Sequence, residues 1–265
     1  HPPVHAGTGT HHSASGALYR PMTDPIPAAT LVIFRPSAVG PPELLMVERA
    51  KAMAFAGGAM VFPGGRVDAG DRLPDPDDDA AARVAAIRET IEEAGLPVGL
   101  DPIPDAATLV RLRAGLHAGE PFAALLAVEG LRLAPERLVP FARWLPSHAP
   151  ARIFDTRFYL ARLPDGVAAA TVDHTENVRL CWTTAAAMLA AADAGRATII
   201  FPTRRNLERL AGYASFDAAA ADAARFPIRT ITPWSETRNG AKWLCIPDDL
   251  GYPVTAEPFA AAIRG

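Results

Sequence analysis

The segment from Ala80 to Ala94 constrains this chain more than any other. Its small or apolar positions Ala81, Val84, Ala85, Ile87 and Ile91 fall at helical spacing. Gly95 supplies the stop, and Pro97 prevents the helix from resuming. The same segment carries Glu89, Glu92 and Glu93. Residues three and four apart share a helix face, so Glu89 faces both of the others. Three crowded carboxylates repel one another, which raises their pKa values. A hard divalent cation such as Mg²⁺ or Mn²⁺ takes oxygen ligands and relieves that repulsion. A solvated acidic face paired with cations is the plain alternative. Two features favour a site. The helix has almost no lysine, and a Gly-Gly loop precedes it after a strand. Glycine lets a backbone approach a ligand closely. Arg88, one turn before Glu92, can brace that carboxylate.

The remaining chain reads as strands on both sides of this helix, the pattern of an α+β or mixed α/β sandwich. Strands are predicted at Ala28–Phe34 and Glu43–Glu48, around Met60–Phe62, and at Phe154–Leu163, Val178–Trp182 and Trp243–Ile246. Helices are predicted over 104–117, 120–128, Thr183–Ala194 and Thr203–Ala211, and the Ala-rich run 218–224 has good helix propensity. The acidic stretch Asp75–Asp79 can cap the central helix. The expectation is one domain over 25–265, with a helical insertion near 101–140 and a C-terminal extension near 195–265. Residues 1–24 hold His1, His5, His11 and His12 among Gly, Ser and Pro. They read as a disordered tail or an expression remnant, with a metal-binding tract as the alternative.

At 265 residues and a net charge of −3, the chain offers no bulk electrostatic attraction for nucleic acid or a membrane surface. No apolar run approaches the roughly 20 residues that span a bilayer. Cys181 and Cys245 lie far apart, with neither metal-type nor disulfide-type spacing, which fits a reducing, cytoplasmic setting.

Phe62-Pro63-Gly64-Gly65 followed by Arg88-Glu89-x-x-Glu92-Glu93-x-Gly95-Leu96 resembles the Nudix box, Gly-x5-Glu-x7-Arg-Glu-U-x-Glu-Glu-x-Gly-U with U aliphatic. Thr90 departs at the first aliphatic position. The interval from Gly65 to Arg88 is about nine residues longer than the pattern, and the early glutamate has no clear match; Asp71 stands six positions after Gly65. An interrupted box of this kind is similar to relatives of the acyl-coenzyme A diphosphatases. The segments Arg152–Tyr159, Glu176–Trp182 and Phe201–Thr203 followed by Leu207–Leu210 also resemble that subgroup. Of the upstream coenzyme A signature the chain keeps Leu45, Arg49 and Gly58; Val47, Ala50 and Ala54 depart from it.

The resemblance implies a Nudix fold, a mixed sheet between helices, and hydrolysis of a diphosphate bond with Mg²⁺ or Mn²⁺. Carried over by position, Glu92 and Glu93 would be principal metal ligands and Glu89 a further ligand or the base. Gly65 would offer a carbonyl, and Glu176 a carboxylate from outside the box, with Asp173 as second choice. Arg49, Gly64, Arg88, Arg152 and Arg157 are candidates for substrate phosphates. Arg49 also reads as a solvated strand end, and Arg152 and Arg157 also read as an ion-pair cluster around Asp155. Trp144, Phe158, Tyr159 and Trp182 could stack a base or pack a core. The implied partner is a small nucleoside-diphosphate compound. Coenzyme A or acyl-coenzyme A leads; ADP-ribose, a dinucleotide or capped RNA is the alternative. A ligand-sensing module without turnover is the reading from another class. No membrane partner is implied, and a homodimer is left open.

Overall fold

The computed structural model describes residues 24–72, 77–146, 152–167 and 169–262. The His-rich start and Asp75 lie outside the described residues. In chain order, β1 (Ile26–Arg35), β2 (Glu43–Arg49), β3 (Met60–Val61) and β4 (Gly64–Arg66) precede the central helix α1 (Asp78–Ala94). Then come β5 (Leu100–Asp101), α2 (Ala106–His117), α3 (Phe122–Val128), β6 (Arg132–Leu133), β7 (Val139–Trp144), β8 (Phe154–Arg162) and β9 (Asn177–Thr183). The last part holds α4 (Ala185–Asp193), α5 (Phe201–Leu210), α6 (Phe216–Ala223), β10 (Thr230–Ile231), β11 (Trp234–Arg238), β12 (Ala241–Cys245), β13 (Ala256–Pro258) and α7 (Phe259–Ala262).

The main sheet runs β10–β7–β8–β1–β2, with β9 on the far edge of β2. Its centre is the parallel pair β1–β8, in register from Ile26↔Phe154 to Phe34↔Arg162. Strand alternation sends each strand's residues to two opposite cores. Ala29, Leu31, Ile33 and Tyr159 pack against α1, α2 and α3. Val32, Phe34, Phe158 and Leu160 pack against α4, α5 and α6. The result is the α+β sandwich that the sequence implied.

One irregularity positions everything that follows. The end of β1 pairs with β2 at Phe34↔Leu44, while its start pairs with β4 at Ala29↔Gly65. Strands β1 and β2 therefore diverge, and the β3–β4 segment Met60–Arg66 fills the fork. Strand β3 closes the fork on the β2 side at Val47↔Val61. Leu31 N–H donates to the Pro63 carbonyl at 2.9 Å. Gly64 lies so close to β1 that a Cβ there would stand 2.3 Å from the Ala29 carbonyl oxygen.

Helix α1 starts as its sequence dictates. Asp77 is the N-cap, its side chain accepting from Asp79 N–H, and Gly95 closes the helix in the left-handed conformation at φ 62°. Strand β7 was not anticipated from the sequence. Pro140 breaks its alternation, and the structure registers an irregularity there. The C-terminal segment is clamped to α5 through buried Asn206, which accepts from Trp144 Nε1 and from the Tyr252 hydroxyl. Among the described residues no helix is long and apolar enough to cross a membrane.

Candidate active site

A cleft of about 450 Å³ opens where the fork in the sheet meets α1. Its carboxylate wall is Glu89, Glu92 and Glu93, and Gly64 and Gly65 form its lip. The sheet contributes a floor of small side chains, Ala28, Thr30 and Thr156.

Arg88 organises the carboxylate wall from behind. Its Nε and one Nη meet the two oxygens of Asp71 at 2.9 Å each, and the same Nη donates to the Arg66 carbonyl at 2.9 Å. The other Nη reaches Glu89 at 3.0 Å and Glu92 at 3.1 Å. These bonds occupy all five N–H donors of a guanidinium. Arg88 borders the cleft, but the structure places it as a brace, not as an open phosphate-binding group. Asp71 is 1% exposed. It stands at the position of the early glutamate of the pattern, so the nine-residue excess follows it and leaves its contact with the helix intact.

Glu93 is held differently. One carboxylate oxygen accepts from Gly64 N–H at 2.8 Å and the other from Asn177 Nδ2 at 2.9 Å. Burial pushes its pKa up to about 7, against the lowering effect of those two hydrogen bonds. Glu89 is pushed up to about 8, chiefly by burial; Arg88 opposes the rise, while Glu93 and Glu92 add to it. Gly65 faces the Glu89 carboxylate so closely that a Cβ would lie 2.3 Å from Oε1. The backbone and the carboxylates thus share one small volume that only glycine leaves open.

Among the described residues no three His, Cys, Asp or Glu side chains converge on a single point. The reason is visible: Glu89 and Glu92 turn toward Arg88, and Glu93 toward Asn177. The donor set still fits a hard divalent ion. It is all oxygen, it lies on one helix face, and burial raises the pKa of two of its carboxylates, so their charged forms want a countercharge.

The candidates from outside the helix separate clearly. Glu176 lines the cleft and pairs with Arg49 at 3.6 Å, its side chain 58% exposed. Asp173 is spent on its own turn, accepting from the N–H groups of Glu176 and Asn177 and from the Thr175 hydroxyl. Arg49 and Arg152 line the cleft. Arg157 does not. Strand alternation turns it away from Thr156 and Phe158 toward Asp78 and Asp79 at the start of α1, whose pKa values it helps lower. Arg157 therefore stands off this cleft, unlike Arg49 and Arg152. The ion-pair cluster around Asp155 is corrected, because Asp155 is taken by Arg143 through two bonds of 2.8 and 2.5 Å.

Of the four aromatic candidates, Trp144 is 1% exposed, with its N–H bonded to Asn206. Tyr159 sits on the opposite core, and Trp182 lies under the Arg35 guanidinium. Phe158 borders the cleft but is buried.

The sequence reading missed three groups. Asn177 holds Glu93 from 84 residues away. Arg113, on α2, donates to the backbone carbonyls of Glu92 and Glu93 and to Thr171, tying off the end of α1. Phe55 stands in the cleft mouth. Asn177, at the start of a strand beside Glu176, carried no mark of its burial or of its partner in the sequence, and nothing local marks the other two.

No protein-family model and no curated protein matches the chain. Among solved structures, a Nudix hydrolase from Alicyclobacillus acidocaldarius is 30% identical, over 76% of this chain and 97% of its own, with a TM-score of 0.64. An Ap4A hydrolase binary complex from C. elegans is 21% identical over 63% of this chain and 86% of its own, with a TM-score of 0.37. The Nudix domain of Shewanella oneidensis NrtR, complexed with ADP ribose, is 14% identical over 72% and 91%, with a TM-score of 0.39. The first of these matches, at its identity and near-complete coverage, joins the interrupted motif and the forked sheet in one conclusion: the chain belongs to the Nudix hydrolases and is a hydrolase of the Nudix type.

Proposed function

We propose that this chain hydrolyses the diphosphate bond of a nucleoside diphosphate linked to a second group, with Mg²⁺ or Mn²⁺, and that coenzyme A or acyl-coenzyme A is its leading substrate. The observation that carries the reading is the carboxylate trio of buried Glu93 and half-buried Glu89 and Glu92 beside the glycine lip of an open cleft. Glu92 and Glu93 would be the principal ligands of the ion, Glu89 a further ligand or the base, Gly65 a carbonyl donor and Glu176 the outside carboxylate. A bound divalent ion neutralises charge on a diphosphate and lowers the pKa of water.

The chain's own residues supply the positioning on which phosphoryl transfer mostly depends. Asp71 and Arg88 fix the helix against β4. Asn177 and Gly64 N–H hold Glu93 in one orientation. Asn177 also follows directly on Glu176, so the same turn delivers both.

Two kept signature residues support the coenzyme A reading. Gly58 N–H donates to the Arg49 carbonyl at 2.9 Å, so Arg49 and Gly58 form the neck of the loop that overhangs the cleft. The other cations at the cleft, Arg66 and Arg152, have no side-chain partner among the described residues. A substrate with three phosphates would give them partners.

The test is a panel of coenzyme A, acyl-coenzyme A, ADP-ribose, dinucleoside polyphosphates and capped RNA, each with Mg²⁺ and Mn²⁺, and products resolved by mass. Coenzyme A should yield 3′,5′-ADP and a 4′-phosphopantetheine. AMP released from ADP-ribose with nothing from coenzyme A would overturn the substrate and leave the chemistry. Cleavage of none would overturn both.

A further inference from the structure

Phe55 is 39% exposed and lines the cleft. The loop that carries it is built, not slack. Gly58 N–H bonds to Arg49 O, Met53 N–H to Ala50 O and Ala59 N–H to Ala56 O. Gly57 is wound so tightly that a Cβ would lie 2.6 Å from the Lys51 carbonyl oxygen. Ala56 takes the left-handed conformation at φ 52°, which costs a non-glycine residue energy. Ala50 N–H donates to the Glu176 carbonyl at 2.8 Å, so the loop is tied to the turn that also delivers Asn177 to Glu93. Strain and anchoring together hold Phe55 over the cleft.

There Phe55 meets Phe154, ring centroids 5.2 Å apart at 54°. The register places what lies below. Arg66, Ala28, Thr156 and Trp144 form one row across β4, β1, β8 and β7. Phe154 is one pleat step from Thr156, on the same strand face. At ordinary strand spacing, Phe154 and Arg66 are about 12 Å apart at Cα, with only Ala28 and Thr156 between them. The cleft thus has an aromatic end and a cationic end across a floor of small side chains. Arg66, the cation at the far end from Phe154, has no side-chain partner among the described residues; Arg152, two residues before Phe154, borders the aromatic end.

We infer that Phe55 and Phe154 form a stacking platform for the planar base of a nucleotide, whose phosphates extend over Ala28 and Thr156 toward Arg66 and the carboxylate wall. The inference rests on the diphosphate reading for its orientation. Stacking asks only for a π-face, and the exposed ring of Phe55 offers one.

Binding of AMP and of ribose 5-phosphate to the full chain, by calorimetry, reads this without turnover. Phe55→Ala should weaken AMP by about 5- to 150-fold, the span of a base–aromatic stack, and Phe55→Trp should restore it. Ribose 5-phosphate, which keeps the phosphate and lacks the base, should bind both proteins alike. Equal AMP binding by wild type and Phe55→Ala, no AMP binding by wild type, or an equal loss of ribose 5-phosphate would overturn the platform. The diphosphate reading fails separately: AMP binding that depends on Phe55, in a protein that cleaves no diphosphate, would leave the platform standing without it. Active hydrolysis with no Phe55 dependence would do the reverse.

Discussion

Asp71 and Arg88, 17 residues apart in the chain, meet in a two-pronged buried ion pair, with Nε to Oδ1 and Nη2 to Oδ2 both at 2.9 Å. Removing Asp71 leaves two donors of the buried Arg88 without their acceptors, while Glu89 and Glu92 still face its other Nη. Asp71→Ala should therefore lower stability by about 3–5 kcal/mol, read from chemical denaturation. A loss under about 1 kcal/mol would mean that Arg88 finds another anchor.

That contact also shows what the sequence could and could not convey. Helix α1 was legible from its ends inward, because an Asp cap, a helical repeat and a Gly-Leu-Pro stop are all local. The carboxylate face came with it. The partner of Arg88 was not legible, because the lengthened interval obscures which residue of 66–79 returns to the helix. Asn177 was hidden for a stronger reason: its pairing with Glu93 exists only once β9 has joined β2. Arg157 stands off the cleft by strand parity, since a strand residue one position from its neighbour faces the other side of the sheet, and that parity was not read from the sequence. Strand β7 was lost to Pro140, which breaks the alternation by which strands are recognised.

Gly65→Ala tests how closely the backbone must approach the helix. The new Cβ would stand 2.3 Å from Glu89 Oε1, and the flexible carboxylate would be forced aside. Activity should fall by about 100-fold, as for a displaced catalytic group, while circular dichroism stays that of the wild type. Gly64→Ala should behave differently. Its Cβ would meet the Ala29 backbone, at 2.3 Å from the carbonyl oxygen, so it should unfold the β1–β4 pairing and lower the melting temperature.

Asn177→Ala removes the donor to Glu93 Oε1 from a fully buried position. Groups that orient a ligand from behind are worth about 10- to 100-fold in metal affinity or activity. A loss in that range, accompanied by weaker Mg²⁺ activation, is expected from titrations of rate against metal concentration. An unchanged metal dependence would mean that Asn177 only packs the strand.

Stability should depend on pH in an unusual direction when metal is withheld. Glu89 and Glu93 have folded-state pKa values raised to about 8 and about 7, from an ordinary 4.5. The folded chain then holds protons that the unfolded chain releases, so stability falls as pH rises between about 4.5 and about 8. In a chelator the melting temperature should decline across that window, and saturating Mg²⁺ should flatten the decline. A flat chelator curve would show that Glu89 and Glu93 do not hold those extra protons in the folded chain.

The most direct measurement is single-substrate hydrolysis by Glu93→Gln, with the substrate that the panel identifies, at saturating Mg²⁺. The substitution keeps size and shape and removes the charge. The account predicts intact folding and a loss of rate beyond the 10- to 100-fold expected of an orienting neighbour. Hydrolysis by Glu93→Gln at the wild-type rate, with the same products by mass, would contradict it.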